Sequence, residues 1–112
     1  MSKLNVYELH DLVVDYFDYK LSQPILNSEK NEVCFVLYDS FLFKFSIDER
    51  YEIFKAALVI NSEMVLINLL GEALPINNDL ASILATCEKA DRYCKLRLPD
   101  KFLTAYDEAY KD

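Results

Sequence analysis

At 112 residues the chain has room for one domain, residues 1–112, and too little for two independent cores. Its 53% apolar and 28% charged content is that of an ordinary globular protein, and no apolar run approaches the roughly 18 residues that a membrane-spanning helix requires. A net charge of −7, with a pI near 4.6, repels nucleic-acid phosphates and anionic membrane surfaces alike, so neither is an expected partner.

The opening residues, MSKLNVYELHDLVVDYFDYK, carry one early lysine, no small-residue cleavage pattern and acidic side chains among the apolar ones. A secretory signal is not expected there, and the cytoplasm is the expected compartment. Asn5 and Glu8 have the spacing of a capping box, which predicts a helix from about Val6 to Leu21. At about 100° per residue, Val6, Leu9, Val13, Tyr16 and Phe17 share one side, and Glu8, Asp11, Asp15 and Asp18 form an acidic ridge on the other. Pro24 then opposes helical geometry at Gln23, and residues 27–31 read as a polar loop.

Val33–Tyr38 and Phe41–Ile47 are rich in β-branched and aromatic residues around a short Asp-Ser connection, the pattern of a β-hairpin. Asp-Ser lacks the glycine that a tight two-residue turn favours, so a wider turn is expected. Phe41, Phe43, Phe45 and Ile47 alternate with Leu42, Lys44 and Ser46, giving one strongly apolar face. The first arm is apolar on both sides, which requires cover on both.

Tyr51–Ile60 reads as a third strand, with a helix as the alternative because of Glu52, Lys55 and two alanines. Met64–Leu70 is a fourth apolar run, ended by Gly71. Asn78 is a good N-cap for a second helix in which Leu80, Ile83, Leu84, Cys87 and Cys94 recur with helical spacing. Lys95–Leu98 fits a short edge strand, and Pro99 opens a final helix carrying Phe102, Tyr106 and Tyr110. The expected class is α+β: an antiparallel sheet of three to five strands packed with about three helices, in the order α-β-β-β-β-α-(β)-α.

The chemistry-bearing residues point away from catalysis. One glycine excludes the glycine-rich phosphate-binding loops, and one histidine, His10, stands at the border of a helix stripe without a nucleophile elbow to serve. Cys34, Cys87 and Cys94 have no metal-ligand spacing. Cys87 and Cys94 stand two helical turns apart, about 10 Å, too far for one metal. No cofactor, metal or enzymatic activity is expected. The surplus of aromatic residues points instead to a surface that another polypeptide covers.

The opening helix, the segment EKNEVCFVLYDSFLFKFSIDERYEIFKAAL and the later LLGEALPINNDLASIL resemble class I type III secretion chaperones. Those proteins run from a helix through an apolar strand, an Asp-containing turn and two further strands to a Leu-Pro segment before a second helix. Met64–Leu70 is extra to that pattern, and the segment after Cys94 is shorter than its usual ending. The resemblance implies a homodimeric, non-enzymatic chaperone that holds a segment of a secreted effector on an apolar sheet. Val36, Tyr38, Phe41, Phe43 and Phe45 would be the binding surface, and Leu80, Leu84 and Cys87 would face a dimer mate. The alternative reading is a stoichiometric inhibitor, either a toxin immunity protein or a phage-encoded anti-defence protein. Its acidic face of Glu8, Asp11, Asp15 and Asp18 would dock a toxin or nuclease.

Overall fold

In the computed structural model, residues 4–59, 63–65 and 77–111 are described. The elements are α1 (Val6–Phe17), a 3₁₀ turn (Asp18–Lys20), β1 (Leu21–Asn27), β2 (Glu32–Leu37), β3 (Phe41–Asp48), β4 (Ile53–Val59), β5 (Glu63–Val65), α2 (Leu80–Arg97) and α3 (Asp100–Tyr110). The five strands form one antiparallel meander in the order β1-β2-β3-β4-β5. The fold is α+β, as the residue pattern anticipates.

The capping box forms as expected: the Asn5 side chain accepts from the Glu8 backbone N–H at 2.8 Å, and the Glu8 carboxylate accepts from the Asn5 N–H at 3.0 Å. α1 stops four residues before the expected Leu21 because Asp18 adopts φ 51°, which no α-helix continues. That break frees Leu21–Asn27 to pair with β2, a strand that the residue pattern does not predict. Pro24 is compatible with a strand here because β1 is a sheet edge and the ladder skips it: the register shifts between Ser22 and Ile25.

The β2–β3 hairpin is built as its alternation requires, with Phe35 opposite Phe43 and Val33 opposite Phe45. Pairing ends at Leu37 and Phe41, so the turn is indeed wider than two residues. Tyr51–Ile60 resolves as a strand over Ile53–Val59, with Phe54, Ala56 and Leu58 on the inner face opposite Ile47, Phe45 and Phe43. Of the expected run Met64–Leu70, only Met64 and Val65 lie within β5; residues 66–70 and Gly71 lie outside the described residues. The expected edge strand at Lys95–Leu98 is instead the last turn of α2 and its cap. The Leu98 N–H still reaches back to the Cys94 carbonyl at 3.0 Å.

A single apolar cluster joins the layers. Val6, Leu9, Val13 and Phe17 descend from α1, and Ile83, Cys87, Ala90 and Cys94 from α2, onto the inner sheet face. Phe35 is its centre, with ring centroids 5.6 Å from Phe17, 6.0 Å from Phe43 and 5.0 Å from Phe45. Each such side chain contributes on the order of 1.5–3 kcal/mol by leaving water. α3 joins the cluster through Tyr106, whose ring packs against Tyr38 and Tyr19 and whose hydroxyl donates to the Tyr19 carbonyl at 2.9 Å.

Candidate docking groove between the first two helices

The residues expected to form an open binding platform are largely interior. Phe43 and Phe45 are fully buried and Tyr38 nearly so, because the inner face that they line is the one roofed by α1 and α2. Phe41 lies half-buried at the rim, its ring 5.6 Å from Tyr93, and Val36 is half-buried on the opposite face of the sheet. These five side chains therefore share no surface, and the expectation of one is corrected. Cys87 is likewise fully buried, on the core-facing side of α2, so it does not lie on a surface that could face a dimer mate.

The remaining candidates converge. The side of α1 turned away from the core carries Glu8, Asp11 and Asp15, and their flank toward α2 carries Leu12 and Tyr16. α2 begins where the Asp79 side chain accepts from the Ser82 N–H at 2.8 Å, and its first two turns present Leu80 and Leu84 to that flank. Together these seven residues line an open groove of about 510 Å³ with an apolar floor and a carboxylate rim. Leu80 is 53% and Tyr16 41% exposed, so the floor is accessible. Tyr16 belongs to this floor rather than to the core stripe assigned from periodicity. Partial burial raises its hydroxyl pKa, and Cys87, Asp91 and Glu88 of α2 add to the rise. Asp18 is exposed but ends the helix, and it does not line the groove.

Both ends of the groove are fastened. At one end the Leu4 N–H donates to Asn78 Oδ1 at 3.3 Å, and Asn78 Nδ2 donates to the Leu4 carbonyl at 2.9 Å. The Asn78 N–H also donates to the Glu52 carbonyl at 3.1 Å, tying the start of α2 to β4. At the other end Asp91 of α2 pairs with Lys20, just beyond α1, at 3.5 Å. Two tie points, Leu4 with Asn78 and Lys20 with Asp91, make α1 and α2 run side by side in the same direction.

A smaller cavity of about 230 Å³ continues the groove past Glu8, lined also by Leu4, Asn5, Glu49, Glu52 and Asn78. Glu49 accepts from Asn31 Nδ2 at 2.8 Å. The acidic band is thus longer than the ridge visible in the helix pattern, because β-turn glutamates extend it. A third cavity, of about 350 Å³ around Lys30, Arg50 and Lys55, mixes these cations with Glu32, Asp48 and Glu49 and has no net preference for one charge.

His10 lies half-buried with Nδ1 3.1 Å from Asp11 Oδ1. Burial pushes the thiol pKa values of Cys87 and Cys94 up to about 12, so both are held as thiols. Among the described residues no group of three or more His, Cys, Asp or Glu side chains could hold a metal ion, and no helix is long and apolar enough to cross a membrane.

Among known proteins, the family model described as Bcl-2 homology region 4 matches residues 9–23. That stretch comprises the later part of α1, the 3₁₀ turn and the first residues of β1, well under half of the chain, and it assigns no family. No curated protein and no solved structure matches the chain.

Proposed function

We propose that this protein is a non-enzymatic, cytoplasmic binding domain that docks a basic amphipathic helix of another protein in the α1–α2 groove. The observation that carries the reading is an apolar floor of Leu12, Tyr16, Leu80 and Leu84 bordered by Glu8, Asp11 and Asp15. An amphipathic helix with apolar side chains at i, i+3/i+4 and i+7 fills such a floor, and lysines or arginines beside them meet the rim. This is the chemistry of a stoichiometric inhibitor, such as a toxin immunity or anti-defence protein, whose target presents a cationic segment. The secretion-chaperone reading finds less support, because Phe43 and Phe45 are interior and only the groove is left to hold an effector segment. Homodimerisation through Leu80 and Leu84 would bring two acidic rims together, which like-charge repulsion opposes. A charge of −7 argues against nucleic acid and membrane as direct partners.

The test uses a synthetic amphipathic peptide of about 14 residues with leucines on one stripe and lysines flanking it. Calorimetry should give saturable binding that weakens roughly tenfold between about 0.05 and 0.5 M salt. Asp11→Lys/Asp15→Lys should abolish it, whereas Asp100→Lys/Glu108→Lys on α3 should leave most of it. Equal losses from the two double variants would mean non-specific attraction to an acidic protein and would overturn the reading.

A further inference from the structure

The sheet has an outer face that the groove does not use. β2 is apolar on both sides, yet every strand residue in the cluster beneath the helices belongs to the inner face. On the outer face the register sets three rows across β2, β3 and β4. Val36, Leu42 and Val59 form the first, Cys34, Lys44 and Ala57 the second, and Glu32, Ser46 and Lys55 the third. Leu42 is 39% exposed and Ile25, on the edge strand, 64%, so apolar area is left open there. β1–β4, of six to eight residues each, together with the short β5 make a face of roughly 500 Å² in plan. Protruding side chains raise its accessible area toward the roughly 600 Å² per partner at which specific interfaces begin.

The rows complement themselves. When two such sheets stack about a two-fold axis along β3, β2 of one copy lies over β4 of the other. Val36 then meets Val59, Leu42 meets its own counterpart, and Cys34 faces the small Ala57. Glu32 faces Lys55, once on each side of the axis. Lys44 stands near the axis, and its ammonium is held 3.6 Å from Glu32 of its own chain. Charge also favours this face. β2–β4 bring to it two lysines, Lys44 and Lys55, and two carboxylates, Glu32 and Asp48, in a chain of net charge −7. The α1–α2 groove, rimmed by carboxylates, would repel its own copy.

We propose that two copies of this chain pair through the outer sheet face, β2 over β4, leaving both α1–α2 grooves open on the outside. The pairing is independent of the docking reading. Sedimentation equilibrium from about 1 to 500 μM should show reversible conversion from 13.1 kDa to twice that mass. Leu42→Lys, which sets two further cations together on the axis, should weaken association roughly tenfold. Lys55→Glu, an exchange at an exposed site that places a carboxylate opposite Glu32, should weaken it roughly fivefold. Leu80→Lys, in the groove, should leave it unchanged. A monomer at every concentration overturns the proposal, as does a dimer that Leu80→Lys dissociates and Leu42→Lys does not. A dimer that Leu42→Lys weakens and Lys55→Glu does not overturns the placement of β2 over β4.

Discussion

Tyr38, in the β2–β3 turn, donates its phenolic hydrogen bond to Asp91 of α2 at 2.6 Å, across 53 residues of chain. The other oxygen of Asp91 faces Lys20 and Lys95, so one carboxylate ties the hairpin turn, the end of α1 and the middle of α2. Burial first, and then this bond, raises the Tyr38 hydroxyl well above the ordinary tyrosine range. Asp91→Ala should therefore cost about 1–3 kcal/mol in urea unfolding, since it strands a buried hydroxyl and unpairs two lysines. Tyr38→Phe, which removes only the hydroxyl, should cost less. Equal losses would show that the lysines contribute nothing.

Substitution within the interior should separate packing from binding. Phe45→Ala should destabilise by about 3–5 kcal/mol, and Phe43→Asp should leave a chain without cooperative unfolding, because both rings are fully enclosed. Tyr7→Ala, at a site 59% exposed, should fall within about 0.5 kcal/mol. A folded, stable Phe43→Asp protein would contradict the burial of that face.

Alkaline pH should unfold the protein earlier than its charge alone requires. Cys87 and Cys94 titrate at about 12 instead of 9.0, and Tyr106 at about 12 instead of 10.0, chiefly because burial disfavours the anion. Between those values the folded state binds more protons than the unfolded one, so stability falls as pH rises. It should be level below about pH 9 and drop progressively toward pH 12. Chemical denaturation along that series checks this, and Tyr106→Phe should reduce the slope above pH 10.0.

Thiol accessibility gives an independent check. A thiol reagent at pH 8 should modify Cys34, which is half-buried, ahead of Cys87 and Cys94, which are enclosed. Modification of the latter two should follow the rate of unfolding. Their rapid modification in the native protein would place α2 differently.

Asn78 fastens one end of the groove through its two hydrogen bonds to Leu4. Asn78→Ala removes both hydrogen bonds to Leu4 and should destabilise by about 1–2 kcal/mol. It should also weaken the amphipathic peptide, because the end of the groove is no longer fixed. Unchanged affinity would make that tie purely structural.

Local periodicity carried most of the architecture. The Asn5–Glu8 box, the alternation of Phe41, Phe43 and Phe45, and the 3.6-residue recurrence from Leu80 to Cys94 each specify an element by a rule that acts within a few residues. β1 escaped because Pro24 and Gln23 obscure a strand that survives only by being an edge with a register break. The alternation in the second arm marks Phe43 and Phe45 as one apolar face, but not whether that face is open or covered; only the packing of α1 and α2 puts it under a roof. The groove escaped for the same reason: Asp11 and Leu80 are far apart in the chain, and their meeting follows from two long-range ties, Leu4–Asn78 and Lys20–Asp91.

Among the described residues the backbone takes positive φ at Asp18, Gln23, Asn31, Tyr38, Asp39 and Glu52, none of them glycine. Each such corner costs on the order of 1 kcal/mol relative to glycine. At Tyr38 the penalty is offset by a buried ring and its carboxylate partner, whereas the Gln23 side chain is exposed. The molecule thus carries untapped thermal headroom, and a single Gln23→Gly exchange offers a route to a hardier variant without disturbing its acidic trough.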